Sequence, residues 1–220
     1  MNDNKKNQSF KKRQSGVSML ETLLVLPVIL ILGFGIVHAG LVFQAQSNLE
    51  YAALMAARVG ASTSIDIAAM QVEVADRMSA SQDPAEVLIP PQITVVNPTR
   101  AMFLACGESP TYDQSACAGS PLGSACEIPN FGLQLRDSTV SCDGGANIQD
   151  ANILRIRVAY YFDSKVPFMD LITFPVGDAA RDFDFPDEDN PPPGRWVYAV
   201  ATVRMQSPAR ITANNADAFP

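Results

Sequence analysis

The chain has 220 residues, with 16 Lys and Arg against 23 Asp and Glu and a formal charge of −7. That length allows a membrane anchor plus one modest domain. The acidic balance argues against nucleic-acid binding through general surface charge, which needs Lys and Arg to neutralise phosphates.

The basic residues are unevenly placed. Lys5, Lys6, Lys11, Lys12 and Arg13 all precede Gly16, opposed there by Asp3 alone, so residues 17–220 carry a formal −11. Residues 1–16 read as a basic leader that stays in the cytoplasm beside a membrane span. From Thr22 to Phe43 there is no Asp, Glu, Lys or Arg, and His38 is the one ionisable side chain. As a helix this stretch covers ~33 Å, enough for a bilayer core. A secretory signal has an apolar region of only about 7–15 residues, followed by a small-residue cut site. Residues 17–43 therefore read as a retained transmembrane helix. The expected protein is single-pass in the inner (cytoplasmic) membrane, with its C-terminal domain periplasmic or extracellular. Glu21 breaks the apolar run near its start. An acid at a membrane helix centre costs roughly 2.5–3.5 kcal/mol on insertion scales, so a carboxylate in such a helix usually has a partner or a use. Pro27 predicts a bend. Gly35 and Ala39 form a small-xxx-small pair that would let another helix approach.

Residues 44–80 read as a helical extension and a second helix. Leu49, Ala52, Ala53, Ala56 and Val59 continue a stripe at spacings of three and four, with Glu50 and Arg58 off it. Gly60-Ala61-Ser62-Thr63-Ser64 predicts the end of the first helix. Ser64 is the expected N-cap of the second, with Asp66 in its first turn. Ile67, Met70, Val74 and Met78 give that helix an apolar face, and Asp83-Pro84 is expected to close it.

Residues 81–220 read as an exported α+β domain. Three segments predict strands: 92–96, 153–162 and 195–205. In the second, Leu154, Ile156, Val158 and Tyr160 share one face, and Ile153, Arg155 and Arg157 the other. In the third, Trp196, Tyr198, Val200, Thr202 and Arg204 oppose Val197, Ala199, Ala201, Val203 and Met205. A small antiparallel sheet covered on one side by helix is the economical arrangement, with Trp196 and Tyr198 in its core. Residues 98–150 read as a loop-rich insertion. They carry Cys106, Cys117, Cys126 and Cys142, expected to form two disulfides whose three possible connectivities stay open. The four lack a CxxC pair, so no zinc site is expected.

Chemistry-bearing motifs are scarce. The single His leaves the exported domain without a His-based catalyst. Asp163, Asp170 and Asp178 are scattered, and neither a G-x-S-x-G elbow nor a phosphate loop occurs. Asp182, Asp184, Asp187, Glu188 and Asp189 could offer oxygens to calcium, but without an EF-hand pattern a solvated loop is the simpler reading. No metal, no cofactor and no enzymatic activity are expected.

Gly16-Val17-Ser18-Met19-Leu20-Glu21 resembles the processing site of type IV prepilins and pseudopilins, which place a glycine before the cut and a glutamate at the fifth mature position. The run from Glu21-Thr22-Leu23-Leu24-Val25-Leu26-Pro27 through Phe43-Gln44-Ala45-Gln46 and Ala56-Ala57-Arg58-Val59-Gly60-Ala61 resembles the TadE-like family of the tight-adherence (Tad) pilus system. The resemblance covers roughly residues 16–61, and Thr22 stands where that family often has an aromatic. It implies a pseudopilin or minor pilin-like subunit for a Tad-type pilus used in adhesion. It also implies cleavage between Gly16 and Val17 by a prepilin peptidase, an assembly role for Glu21, and other pilin-like subunits and the assembly machinery as partners. The rival expectation is a permanently anchored binding protein or adhesin with an uncleaved leader.

Overall fold

The structure is a computed structural model that describes residues 17–79, 90–110, 114–162, 166 and 195–219. The leader 1–16, Asp83-Pro84, Asp163, Asp170, Asp178 and the acidic stretch 182–189 lie outside the described residues. The fold is α+β, as the sequence pattern predicts.

Helix α1 runs unbroken over Val17–Ser62, 46 residues. Its second half carries the apolar stripe: Ala45, Leu49, Ala52, Ala53, Ala56 and Ala57 are all buried. Glu50 and Arg58 are exposed. Helix α2 spans Ile67–Met78 and buries Met70, Val74 and Met78 against the core.

The turn between them corrects one expectation. The N-cap of α2 is Asp66, not Ser64: the Asp66 carboxylate accepts from Ala69 N. Ser64 and Ile65 instead reverse the chain, with φ of 59° and 67°. A β-branched residue in the left-handed region costs of order 1–3 kcal/mol. Complete burial of Ile65 offsets that cost. The C-terminal chain also fastens the turn, since Asn215 Nδ2 donates to Ile65 O (2.8 Å) and Ser64 N donates to Ser207 Oγ (2.9 Å). Helix α1 ends at Ser62, within the expected Gly60–Ser64 run, and Gly60 has a packing role of its own. It lies inside the helix where α2 crosses, and a Cβ there would sit 2.5 Å from Met70 Sδ and 3.1 Å from Leu154 Cδ2.

The main sheet joins β1 (Gln92–Asn97), β5 (Ile153–Phe162) and β6 (Arg195–Arg204) in the order β1-β5-β6, all antiparallel. Register sets the faces. Ile156 is paired with Val95 and Ala201, and Val158 with Ile93 and Ala199, so these residues share the inner face. They are buried in one core with the alanine stripe of α1. Small side chains on the helix let its backbone lie close to the sheet at interior packing density. Gln46 Nε2 donates to Tyr198 O (2.6 Å), and Gln206 N and Ser207 N donate to Ala61 O (3.0 and 2.9 Å). Strand β6 thus runs in the same direction as α1, and the β5 start and β6 end lie farthest from the N-terminal half of that helix.

The insertion is more ordered than its composition implies. Thr99 caps α3 (Arg100–Cys106), whose Met102 and Phe103 are buried. Short pairings follow: β2 (Glu127–Ile128), then β3 (Ser141–Asp143) with β4 (Ala146–Asn147). Helix α4 (Ile148–Ala151) opens with a capping box between Asn147 and Asp150. The chain end returns as β7 (Ala209–Arg210) to pair with β2, joined by the Arg210–Glu127 ion pair at 2.6 Å. Two disulfides close the insertion, Cys106–Cys142 and Cys117–Cys126, with sequence separations of 36 and 9.

Loop-closure entropy scales with those separations. Replacing Cys106 and Cys142 by Ser is expected to cost about 4 kcal/mol, against about 2.6 kcal/mol for Cys117 and Cys126, measurable by urea unfolding of each full-chain variant in detergent. Gly60→Val should cost about 1–3 kcal/mol by forcing Met70 and Leu154 aside. An unchanged midpoint for that variant would show that α2 does not press on Gly60.

Candidate functional site

The first half of α1 is the part of the molecule that its own core does not explain. From Met19 to Leu32 every side chain is exposed, including Leu20, Leu23, Leu24, Leu26, Ile29 and Leu30. Burial begins around Phe34 and Gly35, which are half-buried, and becomes complete at His38 (2 % exposed). Soluble monomers rarely expose apolar patches beyond a few hundred Å². A helix apolar on every side is instead matched to lipid or to other apolar helices. This is the one helix among the described residues long and apolar enough to cross a membrane.

Glu21 lies on this exposed helix, 17 residues before His38, or ~25 Å along the axis. Its carboxylate makes no ion pair among the described residues. Val17 opens the helix, while Gly16 lies outside the described residues. Pro27 is accommodated inside the helix. Gly33, Gly35 and Gly40 face open space, for a Cβ at each would meet nothing within 4 Å. None of these glycines is therefore required by packing among the described residues. His38 is buried where the helix enters the domain, as a contact residue would be.

Residues 16–58 match the family model described as TadE-like protein. This N-terminal segment is similar to TadE-like proteins. Comparison with curated proteins and with solved structures gave no match. The TadE-like match covers Gly16 and almost all of α1, and stops before the turn to α2. It therefore spans both the exposed apolar half and the alanine stripe that anchors the domain. The similarity rests on this segment, while the sheet and the insertion lie beyond it.

Among the described residues, no three His, Cys, Asp or Glu side chains come together as a metal site would require. All four cysteines are disulfide-bonded. Trp196 and Tyr198 are buried, as their position predicted, and Trp196 packs edge-to-face on Tyr161 at 5.7 Å. Burial raises the Tyr198 hydroxyl above its ordinary pKa. They form a separate cluster with Ala159 on the sheet face turned away from α1.

One arrangement was not read from the sequence. Arg155 and Arg157 of β5 and Arg204 of β6 share that outer face, because Arg155 pairs with Thr202 and Ile153 with Arg204. Each strand shows its own alternation, but their common face depends on register and direction. A shallow groove beside Arg204 is lined by Gln149, Asp150, Ile153 and Thr202.

Proposed function

We propose that the protein is a pseudopilin or minor pilin-like subunit that takes part in assembling a Tad-type pilus. The observation that carries this reading is the TadE-like match over 16–58, which coincides with an exposed apolar helix bearing Glu21 at the fifth position after Gly16. A prepilin peptidase would cut between Gly16 and Val17 and leave an ammonium at Val17. The Glu21 carboxylate of one subunit would then meet the new ammonium of a neighbour inside the membrane or filament. Breaking a buried pair on one side leaves an uncompensated charge at ~3–5 kcal/mol, so one helix register would be favoured over slipped ones. The alanine-lined half of α1 would carry the sheet and the disulfide-stapled insertion outward from the membrane, available to further subunits or to an adhesion target.

The test is the N-terminus of the membrane-extracted protein, determined by mass spectrometry with and without the prepilin peptidase. The expected result is a chain starting at Val17 only where the peptidase is present. Retention of Gly16 in both cases would favour the permanently anchored binding protein instead. Glu21→Ala should insert and be cut normally, yet be recovered at least tenfold less in assembled pili. Normal incorporation of that variant would remove Glu21 from the assembly role.

A further inference from the structure

The wholly exposed part of α1 is too short to cross a bilayer by itself. Met19–Leu32 measures ~21 Å as a helix, against a hydrocarbon core of about 30 Å. Tilting the helix shortens its reach across the bilayer and widens that deficit. The missing length lies in the next turns, which have two different faces. Phe34, Gly35, Leu41 and Val42 are half-buried, and His38 and Ala45 are buried. These positions recur at spacings of three and four, so they share one face. Leu41 and Val42 pack on the core of the domain. On the other face Ile36 (75 % exposed), Val37 and Phe43 (76 % exposed) are bare. That bare face turns polar at Gln44 and Ser47, and Glu50 is the first Asp, Glu, Lys or Arg after Glu21.

Water does not suit this face, because three large apolar side chains would stand bare beside a helix still short of the hydrocarbon boundary. Lipid does suit it. Thr22 to Phe43 supplies ~33 Å, enough for the core, and the change from Phe43 to Gln44 falls at its edge. The place of His38 agrees with lipid on the bare face. The one ionisable side chain of the run lies on the covered face, away from acyl chains, where a polar group is costly.

The sheet can be placed on the same scale. Gln46 Nε2 donates to Tyr198 O, and β6 runs in the direction of α1. Trp196 precedes Tyr198 along the strand by ~7 Å, equal to roughly four to five helix residues. It therefore stands level with Leu41 and Val42, at the edge of the apolar run. Tyr161 packs edge-to-face on it. Trp and Tyr are the residues that collect at membrane–water boundaries.

We propose that the domain is seated in the leaflet nearest it. Ile36, Val37 and Phe43 face acyl chains, while the sheet end bearing Tyr161 and Trp196 lies at the boundary of hydrocarbon and headgroups. The partner is a lipid surface, continuous with the one around Met19–Leu32. The proposal rests on the membrane reading of α1, and not on cleavage or on pilus assembly.

The experiment uses the full chain in vesicles of phosphatidylcholine and phosphatidylglycerol. Trp196 is the only tryptophan, so its emission reports one site in the unaltered protein. Nitroxide lipids quench tryptophan over a short range without needing contact. Lipids labelled at acyl carbon 5 should lower the emission at least twofold, and lipids labelled at carbon 12 should lower it less. Nitroxides attached through Ile36→Cys and Val37→Cys should meet oxygen and not a water-soluble nickel chelate. Unquenched Trp196, stronger quenching from carbon 12 than from carbon 5, or chelate access at Ile36→Cys equal to that at Glu50→Cys would each overturn the proposal. Protection of both labels from oxygen and chelate alike would overturn it too, by placing a protein surface on the stripe. A label at Leu30→Cys reads the span separately. Leu30 in lipid with Ile36 in water would end the seating and leave the membrane reading standing.

Discussion

The contact between the alanine stripe of α1 and the inner face of the sheet is what the rest of the molecule depends on. Ala52, Ala53, Ala56 and Ala57 are fully buried there beside Leu154, Ile156, Val158 and Val197. Larger side chains on the helix would hold it off the sheet and open voids that interiors do not tolerate. The same helix continues without interruption into fourteen residues, Met19–Leu32, that are exposed and find no apolar partner among the described residues. One continuous element therefore has two surroundings. Because the 46 residues form a single helix of ~69 Å, the domain is carried by the anchor rather than tethered to it by a linker.

The turn after α1 and the C-terminal chain secure that arrangement. Ala61, Ser64 and Ile65 receive or donate hydrogen bonds with Ser207, Gln206 and Asn215. The last residues of the chain thereby close the far end of the α1–α2 hairpin. The insertion is held differently. Its pairings are two or three residues long, so the disulfides and a few ion pairs limit its freedom more than sheet hydrogen bonding does. Arg136–Glu108 is solvent-exposed and contributes little, roughly 0–1 kcal/mol. Phe103 against Phe219, edge-to-face at 5.5 Å, ties α3 to the chain end.

Much of this was legible in sequence because the controlling periods are simple. Strand β5 matches the expected 153–162, and the helix stripe reads directly from three- and four-residue spacing. The reversal at Ser64 and Ile65 was not legible, because a buried β-branched residue is an unusual choice for positive φ. That reversal uses two residues, which moves the cap from Ser64 to Asp66. The Gly60–Ser64 run marks the end of α1 at Ser62, but the close approach of Met70 to Gly60 is a tertiary contact that local sequence does not show. Helix α3 is too short to show a period. Disulfide pairing and the return of β7 to β2 depend on long-range geometry. Among candidate site residues, the spacing of Gly16 and Glu21 is a local pattern and could be read. The shared face of Arg155 and Arg204 could not, since it follows from the pairing of strands separated by 32 residues of chain.

The division of α1 between two surroundings is tested most directly by single-nitroxide scanning of the full chain in lipid bilayers. The four native cysteines are paired with one another, leaving introduced ones to carry the label. Labels at Leu23 and Leu30 should be accessible to oxygen but not to a water-soluble nickel chelate. Labels at Glu50 and Arg58 should be accessible to the chelate, and labels at Ala53 and Ala56 to neither. Chelate access at Leu23 and Leu30 equal to that at Glu50 would contradict the account, placing the whole of α1 in water.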